Sequence, residues 1–412
     1  MNTAQSEKKY SNTIIALLLL FPVLINSVKI FGNLILLIFT VLGIYIAVTE
    51  KQNPFKIKEL KIFSWLTTGY FLIILISILY ADGLNAEFHH MGRKIHFLLA
   101  PWIALTTLQI NIPLRKILLS LKAGLIIIGI IVIMQFFLGN ERPSGMINAN
   151  IFGDIAVAML FLSIIQVFSE TPKERVITFI ASLAGISAIF LSGSRGSWLS
   201  FIILSIVYIA LIYKPFLKSN SKRKLSLILL VSMIFIFIGT QTNVEKRINK
   251  AVTEVQKWNS GSNLNDSNGL RLQMWKAGLT AVTESPLAGY GYRNANKVAS
   301  EYAPSNKRTI RNKTHLHNEY ITHLVSAGII GLLALLALLF APMILFYQKL
   351  KDQRTYYYAS MGVLLCVAYA TFGFTHIAFG EEHINAFYIL FMGFLWPIVL
   401  GRENIYNHQY EN

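Results

Sequence analysis

Long apolar runs separated by short polar breaks are the feature that most constrains how this 412-residue chain can fold. A helix that crosses a bilayer needs about 20 mostly apolar residues. Reading the apolar runs against the polar breaks gives about twelve such segments, and the runs are continuous, unlike the alternating pattern of a β-barrel. The predicted spans are 12–28, 31–49, 62–80, 95–110, 117–138, 151–168, 176–192, 197–213, 225–240, 318–346, 356–374 and 385–401.

The composition agrees with this pattern. Only 14% of the residues are charged and 54% are hydrophobic, whereas a soluble domain carries roughly 25% charged residues. This balance excludes a disordered chain, a coiled coil and an ordinary soluble enzyme. The single cysteine, Cys366, lies in an apolar run, so it can form neither an intramolecular disulfide nor a cysteine zinc site. We expect an all-α polytopic integral membrane protein with about twelve transmembrane helices.

The basic residues, which give a net charge of +17, fall mainly on one side of these spans. With the N-terminus placed in the cytoplasm, 19 Lys and Arg residues lie in cytoplasmic segments and 5 in short external loops. This asymmetry predicts twelve spans with both termini in the cytoplasm. Most of the basic residues are therefore explained by membrane topology, and they do not indicate nucleic-acid binding. The first span follows Lys8 and Lys9, and no small-residue cleavage site comes after it, so we expect a retained anchor.

A polar segment of about 77 residues, 241–317, interrupts the pattern on the external side. Loops of this length are exempt from the charge rule and are usually functional. Apolar periodicity predicts two amphipathic helices, at 245–258 and 270–283, joined by a turn-rich link at 259–268. The chain therefore divides into spans one to nine (1–240), a loop with two helices (241–317) and spans ten to twelve (318–412).

The strongest chemical cluster is Thr-His-Leu-His-Asn-Glu-Tyr, where this loop enters the tenth span. His315 and His317 lie there at the external membrane surface, and a histidine can act as a general base near neutral pH. An imidazole with the ordinary pKa of about 6.5 would lose that activity at lower pH. The alternative without a catalytic role is a polar helix start capped by Asn318 or Thr314. A zinc site is a third reading, although the His-x-His spacing supplies only two ligands.

Three arginines map to the same side of the membrane. Arg195 lies in a short Ser-Gly-Ser-Arg-Gly-Ser turn between spans seven and eight, where it either snorkels to the interface or faces an embedded cavity. Arg271 begins the second loop helix four residues before Trp275, and Arg142 lies in an external turn ahead of Asn150. Considered one at a time, Arg271 could be an ordinary surface charge on a loop helix, and Arg142 could be part of an ordinary turn. Together with the histidines they indicate binding of a lipid-linked phosphate and a proton-accepting step.

Other signals are weaker. His376 lies between the last two spans on the external side and could line the same cavity. Lys122 and Asp154 are among the few charges inside predicted spans. There is no Walker Gly-Lys-Ser/Thr motif, and Gly289-Tyr290-Gly291 is not a dinucleotide fingerprint because no strand precedes it.

At these residues the sequence resembles the O-antigen ligase and O-antigen polymerase superfamily of bacterial envelope glycosyltransferases. The similarity extends over most of residues 140–345. The residues that carry it are Ser194–Gly196, Arg271 and Trp275 before Pro286 and Gly289, His317-Asn318 followed by Gly328 and Gly331, and the polar stretch 141–150. The form of residues 315–319 and of Gly-Leu-Arg at 269–271 is most similar to ligases that join O-antigen to lipid A–core.

The resemblance implies a C-type glycosyltransferase-like fold in the bacterial inner membrane, with one large periplasmic loop and a periplasmic active site. It implies an undecaprenyl-diphosphate-linked glycan donor and a lipid A–core acceptor within the membrane lipid, and no nucleotide sugar, ATP, metal, cofactor or nucleic acid. The resemblance also implies that Arg195, Arg271 and Arg142 bind the donor diphosphate. It implies that His317 is the general base and that His315 supports it. Four further residues are expected to have supporting roles: Asn318, Glu319, Asn150 and Trp275.

Three alternatives remain at this point. A polysaccharide polymerase or another lipid-linked oligosaccharide transferase of the same superfamily shares the arginine and His-Asn themes. A transporter of lipid-linked sugar would also need external arginines, and it would be expected to carry more charges inside its spans. An envelope scaffold would need neither His317 nor the arginines. The sequence does not identify a carboxylate that would orient His317. Glu319 is the nearest carboxylate in the sequence.

Overall fold

The computed structural model describes residues 3–28, 30–82, 89–218, 267–292 and 294–401, together with residues 249 and 253. Within that part of the chain all regular elements are helices. They are α1 Thr3–Leu24, α2 Phe31–Thr49, α3 Lys61–Asp82, α4 His89–Gly92, α5 Ile95–Leu108, α6 Leu114–Phe137, α7 Ala149–Ser163, α8 Pro172–Leu191, α9 Arg195–Lys218, α10 Ser267–Val282, α11 Ala295–Tyr302, α12 Lys307–Arg311, α13 Glu319–Lys349, α14 Tyr356–Phe372 and α15 Glu382–Gly401. Short 3-10 helices lie at Val167–Ser169, after α7, and at Ala378–Gly380, after α14.

The helices follow the predicted spans. Seven described helices (α2, α3, α6, α8, α9, α13 and α15) are long and apolar enough to cross a membrane. Four shorter apolar stretches coincide with four further predicted spans: Asn12–Leu24, Ile95–Leu108, Ala149–Ser163 and Tyr356–Phe372. The ninth predicted span, 225–240, and the predicted helix 245–258 lie outside the described residues, apart from residues 249 and 253. The all-α, multi-pass membrane architecture is therefore supported.

Two helices form the centre of the bundle. In α15 the most apolar window is 89% buried, whereas the other six long helices have windows between 33% and 56% buried. In α7 every residue from Ile151 to Ser163 is buried. The outer helices instead expose large apolar side chains such as Leu37, Ile76 and Ile206, as expected of surfaces that face lipid. Asp154 of α7 is thus an acid in the interior, and such an acid needs polar partners.

Contacts between connecting segments show which helix ends lie together. At one end, Arg142 contacts the turn before Arg195, and the start of α13 contacts the segment after α14. We call this the arginine end. At the opposite end, Gln109 bonds to Gln52, and Ser169 to Tyr357. The connections joined by these contacts thus lie at two opposite ends of the bundle.

The tenth predicted span is one helix with a break. Ala327 and Gly328 have non-helical backbone angles, and Gly328 has φ 61°. A Cβ on Gly328 would lie 2.1 Å from the carbonyl oxygen of Leu287, so the position requires glycine. The polar segment just after α10 enters this break, where its backbone satisfies groups that the helix leaves unpaired.

Three hydrogen bonds close the break. Tyr290 N–H donates to Val325 O at 2.9 Å, and Gly291 N–H donates to Ser326 O at 2.7 Å. In the reverse direction, Ile329 N–H donates to the carbonyl of Pro286 at 2.8 Å. The segment 286–291 is thereby fastened to α13 at the arginine end.

The described part of the long loop, 267–292 and 294–317, is folded against α13. A helix, α10, covers nearly all of the predicted range 270–283 and begins slightly earlier, so that it takes in the end of the predicted link. Two short helices that the sequence analysis did not predict, α11 and α12, follow it. Their apolar side chains form a small separate core with α10, built from Met274, Ala277, Ala295, Ala299, Ala303, Ile310, Leu316 and Val325. This core holds α10 over the arginine end of the bundle.

Candidate functional site

A cavity of about 390 Å³ lies at the arginine end. All three predicted diphosphate-binding arginines line it: Arg142, Arg195 and Arg271. The predicted supporting residues Asn150 and Trp275 line it as well. The remaining lining residues are Gly193, Ser194, Gly196, Leu199, Asn268, Leu272, Thr375 and His376. The structure therefore brings together side chains that the sequence spreads over more than 230 positions.

Arg195 is held by a tight turn at the start of α9. Gly193, with φ 65°, allows the reversal after α8. A Cβ on Gly196 would lie 2.1 Å from Thr375 Oγ1, so this glycine lets the segment after α14 approach the turn closely. The first residue of α9 thus lies at the positive end of the helix dipole, which adds to the attraction of the guanidinium for an anion.

Arg142 is positioned from two sides. Its Nε donates to the carbonyl of Ser192 at 3.2 Å, and its terminal nitrogen donates to Asn150 Oδ1 at 3.1 Å. The backbone N–H of Asn150 is in turn bonded to the Asn148 side chain, which caps α7. Asn150 therefore contacts the guanidinium directly.

Arg271 and Trp275 project from the same side of α10 because they are four residues apart. The indole Nε1 of Trp275 donates to the carbonyl of Leu316 at 2.9 Å. That bond ties α10 to the residue immediately before His317. The partly exposed indole lines the cavity beside the arginines.

His317 lies next to this cavity and is not among the side chains that line it. Its backbone has φ 53°, a left-handed conformation that is uncommon for a residue with a side chain. Its Nδ1 is buried without a hydrogen-bond partner among the described residues. The ring centroids of His315 and His317 are 4.3 Å apart. Asn318 caps α13 by accepting from Ile321 N–H at 3.0 Å, as its position at the helix start predicts.

His315 faces a smaller neighbouring cavity of about 30 Å³, with Arg93, Lys94, Tyr292 and Glu381. The two predicted histidines therefore do not share one cavity wall. Within the described ranges, no group of three His, Cys, Asp or Glu side chains is arranged to hold a metal ion.

Both imidazoles are neutral at physiological pH. Burial, with the nearby His315 and Arg271, lowers the pKa of His317 to about 3. Burial, with Arg271 and Arg93, lowers the pKa of His315 to about 4. Both values lie below the pKa of about 6.5 of an unperturbed histidine. His317 is therefore unprotonated throughout the neutral range.

Glu319 does not orient His317, although it was the nearest carboxylate in the sequence. Its Oε2 accepts from Phe379 N–H at 2.9 Å, and its Oε1 lies 3.3 Å from His323 Nδ1 and 4.0 Å from Lys94 Nζ. Its backbone N–H donates to Gly373 O at 2.7 Å. Glu319 is therefore a buried group that holds the segment 373–379 against α13.

The carboxylate that contacts a cavity imidazole is Asp154. Its Oδ2 is hydrogen-bonded to His376 Nε2, and its Oδ1 accepts from Ser197 Oγ at 2.6 Å. A Cβ on Gly153 would lie 2.6 Å from Ser197 Oγ, so this glycine permits the approach. The sequence analysis gave His376 little weight and assigned Asp154 no role. The signal available for Asp154 was its charge inside an apolar span, which marks a functional candidate.

The central part of the chain matches a known family. Residues 180–336 match a family model described as O-antigen ligase, and this range contains Arg195, Arg271 and His317. A Haemophilus influenzae protein described as uncharacterized is 28% identical over 360 residues, which are 84% of this chain and 88% of that protein. The family match confirms the resemblance to the O-antigen ligase superfamily.

Proposed function

We propose that this chain, which matches the O-antigen ligase family over its central part, is a membrane glycosyltransferase that uses a polyprenyl-diphosphate-linked glycan as its donor. The donor is the undecaprenyl-diphosphate-linked O-antigen, and the acceptor is a sugar hydroxyl of lipid A–core at the periplasmic face of the inner membrane. The observation that carries the proposal is the convergence of Arg142, Arg195 and Arg271, from three separate segments, on one cavity.

The arginines suit a diphosphate because each guanidinium offers a planar set of donors and stays charged at any physiological pH. They would stabilise the negative charge that grows on the diphosphate as its bond to the sugar breaks. Held in this way, the diphosphate leaves without taking up a proton, so no paired acid is needed. The supporting observation is the fixed geometry of Arg142 against Ser192 and Asn150.

The acceptor hydroxyl is a weak nucleophile and needs a base. In the proposed step, the acceptor oxygen bonds to the anomeric carbon of the donor sugar while the bond from that carbon to the diphosphate oxygen breaks. The acceptor proton passes to neutral His317, and His315 supports that imidazole through ring contact. The supporting observation is that Nδ1 of His317 is buried and has no hydrogen-bond partner among the described residues.

Transfer by the purified protein in lipid nanodiscs tests the proposal. We expect the glycan to move from undecaprenyl diphosphate to lipid A–core without a nucleotide sugar or ATP, releasing one undecaprenyl diphosphate for each glycan transferred. Elongation of the lipid-linked glycan in place of transfer to lipid A–core would reassign the protein to the polymerases. If neither product forms but the donor crosses a proteoliposome membrane, the protein is a transporter.

A further inference from the structure

We propose, on the basis of the glycosyl transfer proposed above, that His376 and Trp275 form a sugar subsite within the arginine-lined cavity. In this subsite the Nδ1 of His376 forms a hydrogen bond with a sugar hydroxyl, and the indole of Trp275 contacts the apolar face of the sugar ring. Both residues line the cavity with the three arginines.

The position of His376 is fixed by the start of α13. The carbonyl of Gly373 accepts from Glu319 N–H at 2.7 Å, and the carbonyl of Phe374 accepts from Asn318 Nδ2 at 3.3 Å. Together with the Phe379 bond to Glu319 described above, these contacts hold the segment after α14 on both sides of His376. An imidazole held in this way is preorganised to receive a ligand group.

The hydrogen bonds around Asp154 determine which nitrogen of His376 faces the ligand. One oxygen of Asp154 accepts from Ser197, and the other is bonded to Nε2 of His376. This bond occupies Nε2 and leaves Nδ1 as the nitrogen of His376 that makes no hydrogen bond to any residue in the described ranges. A sugar hydroxyl both donates and accepts, so it is complementary to Nδ1 in either tautomer of the ring.

The lining of the cavity has two chemical parts. The arginines donate only, so they are complementary to the diphosphate. His376 supplies an imidazole nitrogen, which is complementary to a hydroxyl because a hydroxyl both donates and accepts. Trp275 supplies an aromatic surface whose position is fixed by its bond to Leu316 O. An aromatic wall with a few fixed polar groups is typical of small-ligand sites, and the cavity volume is within their usual range.

Two sugars could present this hydroxyl: the first sugar of the donor and the acceptor sugar of lipid A–core. Their chemistry is the same, so the kinetics must separate them. In steady-state transfer assays with each substrate varied in turn, His376→Gln and Trp275→Ala should both raise the KM of the same substrate. A rise of roughly tenfold corresponds to the loss of one hydrogen bond, and kcat should stay close to that of the unsubstituted protein. The substrate whose KM rises identifies the sugar.

Three further measurements sharpen the assignment. Asp154→Asn, a change at a positioning residue, should raise the same KM, because an amide replaces the carboxyl group that orients the imidazole through Nε2. Trp275→Phe keeps an aromatic ring and should have a smaller effect than Trp275→Ala. Undecaprenyl diphosphate that carries no sugar should bind His376→Gln as tightly as the unsubstituted protein, whereas Arg195→Ala should bind it more weakly. His96→Gln, which changes a buried imidazole of α5 outside the cavity lining, is the matched control.

Other outcomes overturn the subsite. A fall in kcat with both KM values unchanged would make His376 a proton-transfer group. Weaker binding of sugar-free undecaprenyl diphosphate to His376→Gln would place the imidazole on the diphosphate. Unchanged kinetics for both His376→Gln and Trp275→Ala would remove the subsite while leaving the transferase intact. An unsubstituted protein that transfers no glycan would instead refute the proposed function itself.

Discussion

Nε of Arg142 donates to the carbonyl of Ser192 at 3.2 Å, which joins positions 50 residues apart in the chain. Ser192 begins the turn that leads to Arg195, so the bond fixes one cavity arginine against the backbone that positions another. The position of the Arg142 guanidinium relative to the backbone before Arg195 is therefore set by the fold. Guanidinium groups that line one cavity can act as a clamp on a ligand with two linked phosphates.

Removing a cavity arginine should slow glycan transfer. A hydrogen bond to a charged group contributes about 1.5–3 kcal/mol, so Arg142→Ala, Arg195→Ala or Arg271→Ala should each reduce turnover by roughly 10- to 150-fold. Lysine should restore little activity, because it lacks the planar fork. Arg308→Ala, which removes an exposed arginine of α12, serves as the control in the same nanodisc assay. Near-native transfer by both Arg195→Lys and Arg271→Lys would contradict the clamp.

His317→Ala should separate chemistry from binding. General-base catalysis typically contributes about 10²- to 10⁴-fold, so transfer should fall by that order while the donor still binds. His315→Ala should have a smaller effect, because its ring faces the neighbouring small cavity. Donor binding and transfer should be measured for both variants in parallel. A His317→Ala protein that transfers at the unsubstituted rate would rule out His317 as the base.

The pH profile should lack a histidine step near 6.5. The base must be neutral to accept a proton, and the pKa of His317 is lowered to about 3 by burial and its basic neighbours. Protonation of His317 therefore removes activity only when the pH falls towards 3. The titration of His317 should leave kcat/KM constant between about pH 5 and 8. Arg271→Ala removes one of the lowering charges and should raise the pKa of His317. An acid limb centred near pH 6.5 that disappears in His317→Gln would contradict the buried, neutral imidazole.

Cysteine labelling tests the predicted orientation of the bundle. In a Cys366→Ala background, Thr280→Cys on the exposed side of α10 should react with an impermeant thiol reagent once the outer membrane is permeable. Asp352→Cys, exposed at the opposite end, should react only after the inner membrane is opened. The reverse pattern would place the arginine end in the cytoplasm and exclude a periplasmic active site.

Gly328→Ala should destabilise the protein. The backbone there has a positive φ, and the added Cβ would lie 2.1 Å from Leu287 O. Strain of this kind costs on the order of 1–3 kcal/mol, so thermal unfolding in detergent should shift to lower temperature. Gly69→Ala in α3 is the matched control, since a Cβ there meets nothing within 4 Å. Equal unfolding temperatures for the two variants would mean that the break tolerates a side chain.

The sequence predicted most of the helices because a spanning helix leaves a long, continuous apolar signal. It also predicted that Arg142, Arg195 and Arg271 lie on one side of the membrane, since the alternation of spans fixes the side of each loop. The contact between Asp154 and His376 could not be predicted in this way. The two residues are 222 positions apart, and their pairing depends on how α7 packs against α14 and α15. Apolar periodicity carries no information about that packing.

The break in α13 gave no sequence signal beyond Gly328 itself. Glycine is common in membrane helices, and the partner segment 286–291 lies in the polar loop. The contacts of Glu319 could not be predicted for a related reason: neighbours in sequence along a helix start do not point in the same direction. His317 and Glu319 therefore face different surroundings.

The paired backbone at 286–291 and 325–329 also constrains the order in which the protein is assembled. Buried amide and carbonyl groups without partners cost several kcal/mol each, so the broken turn of α13 is stable only when the segment 286–291 is docked against it. Folding of this helix is thereby coupled to the placement of the loop segment that precedes it in the chain.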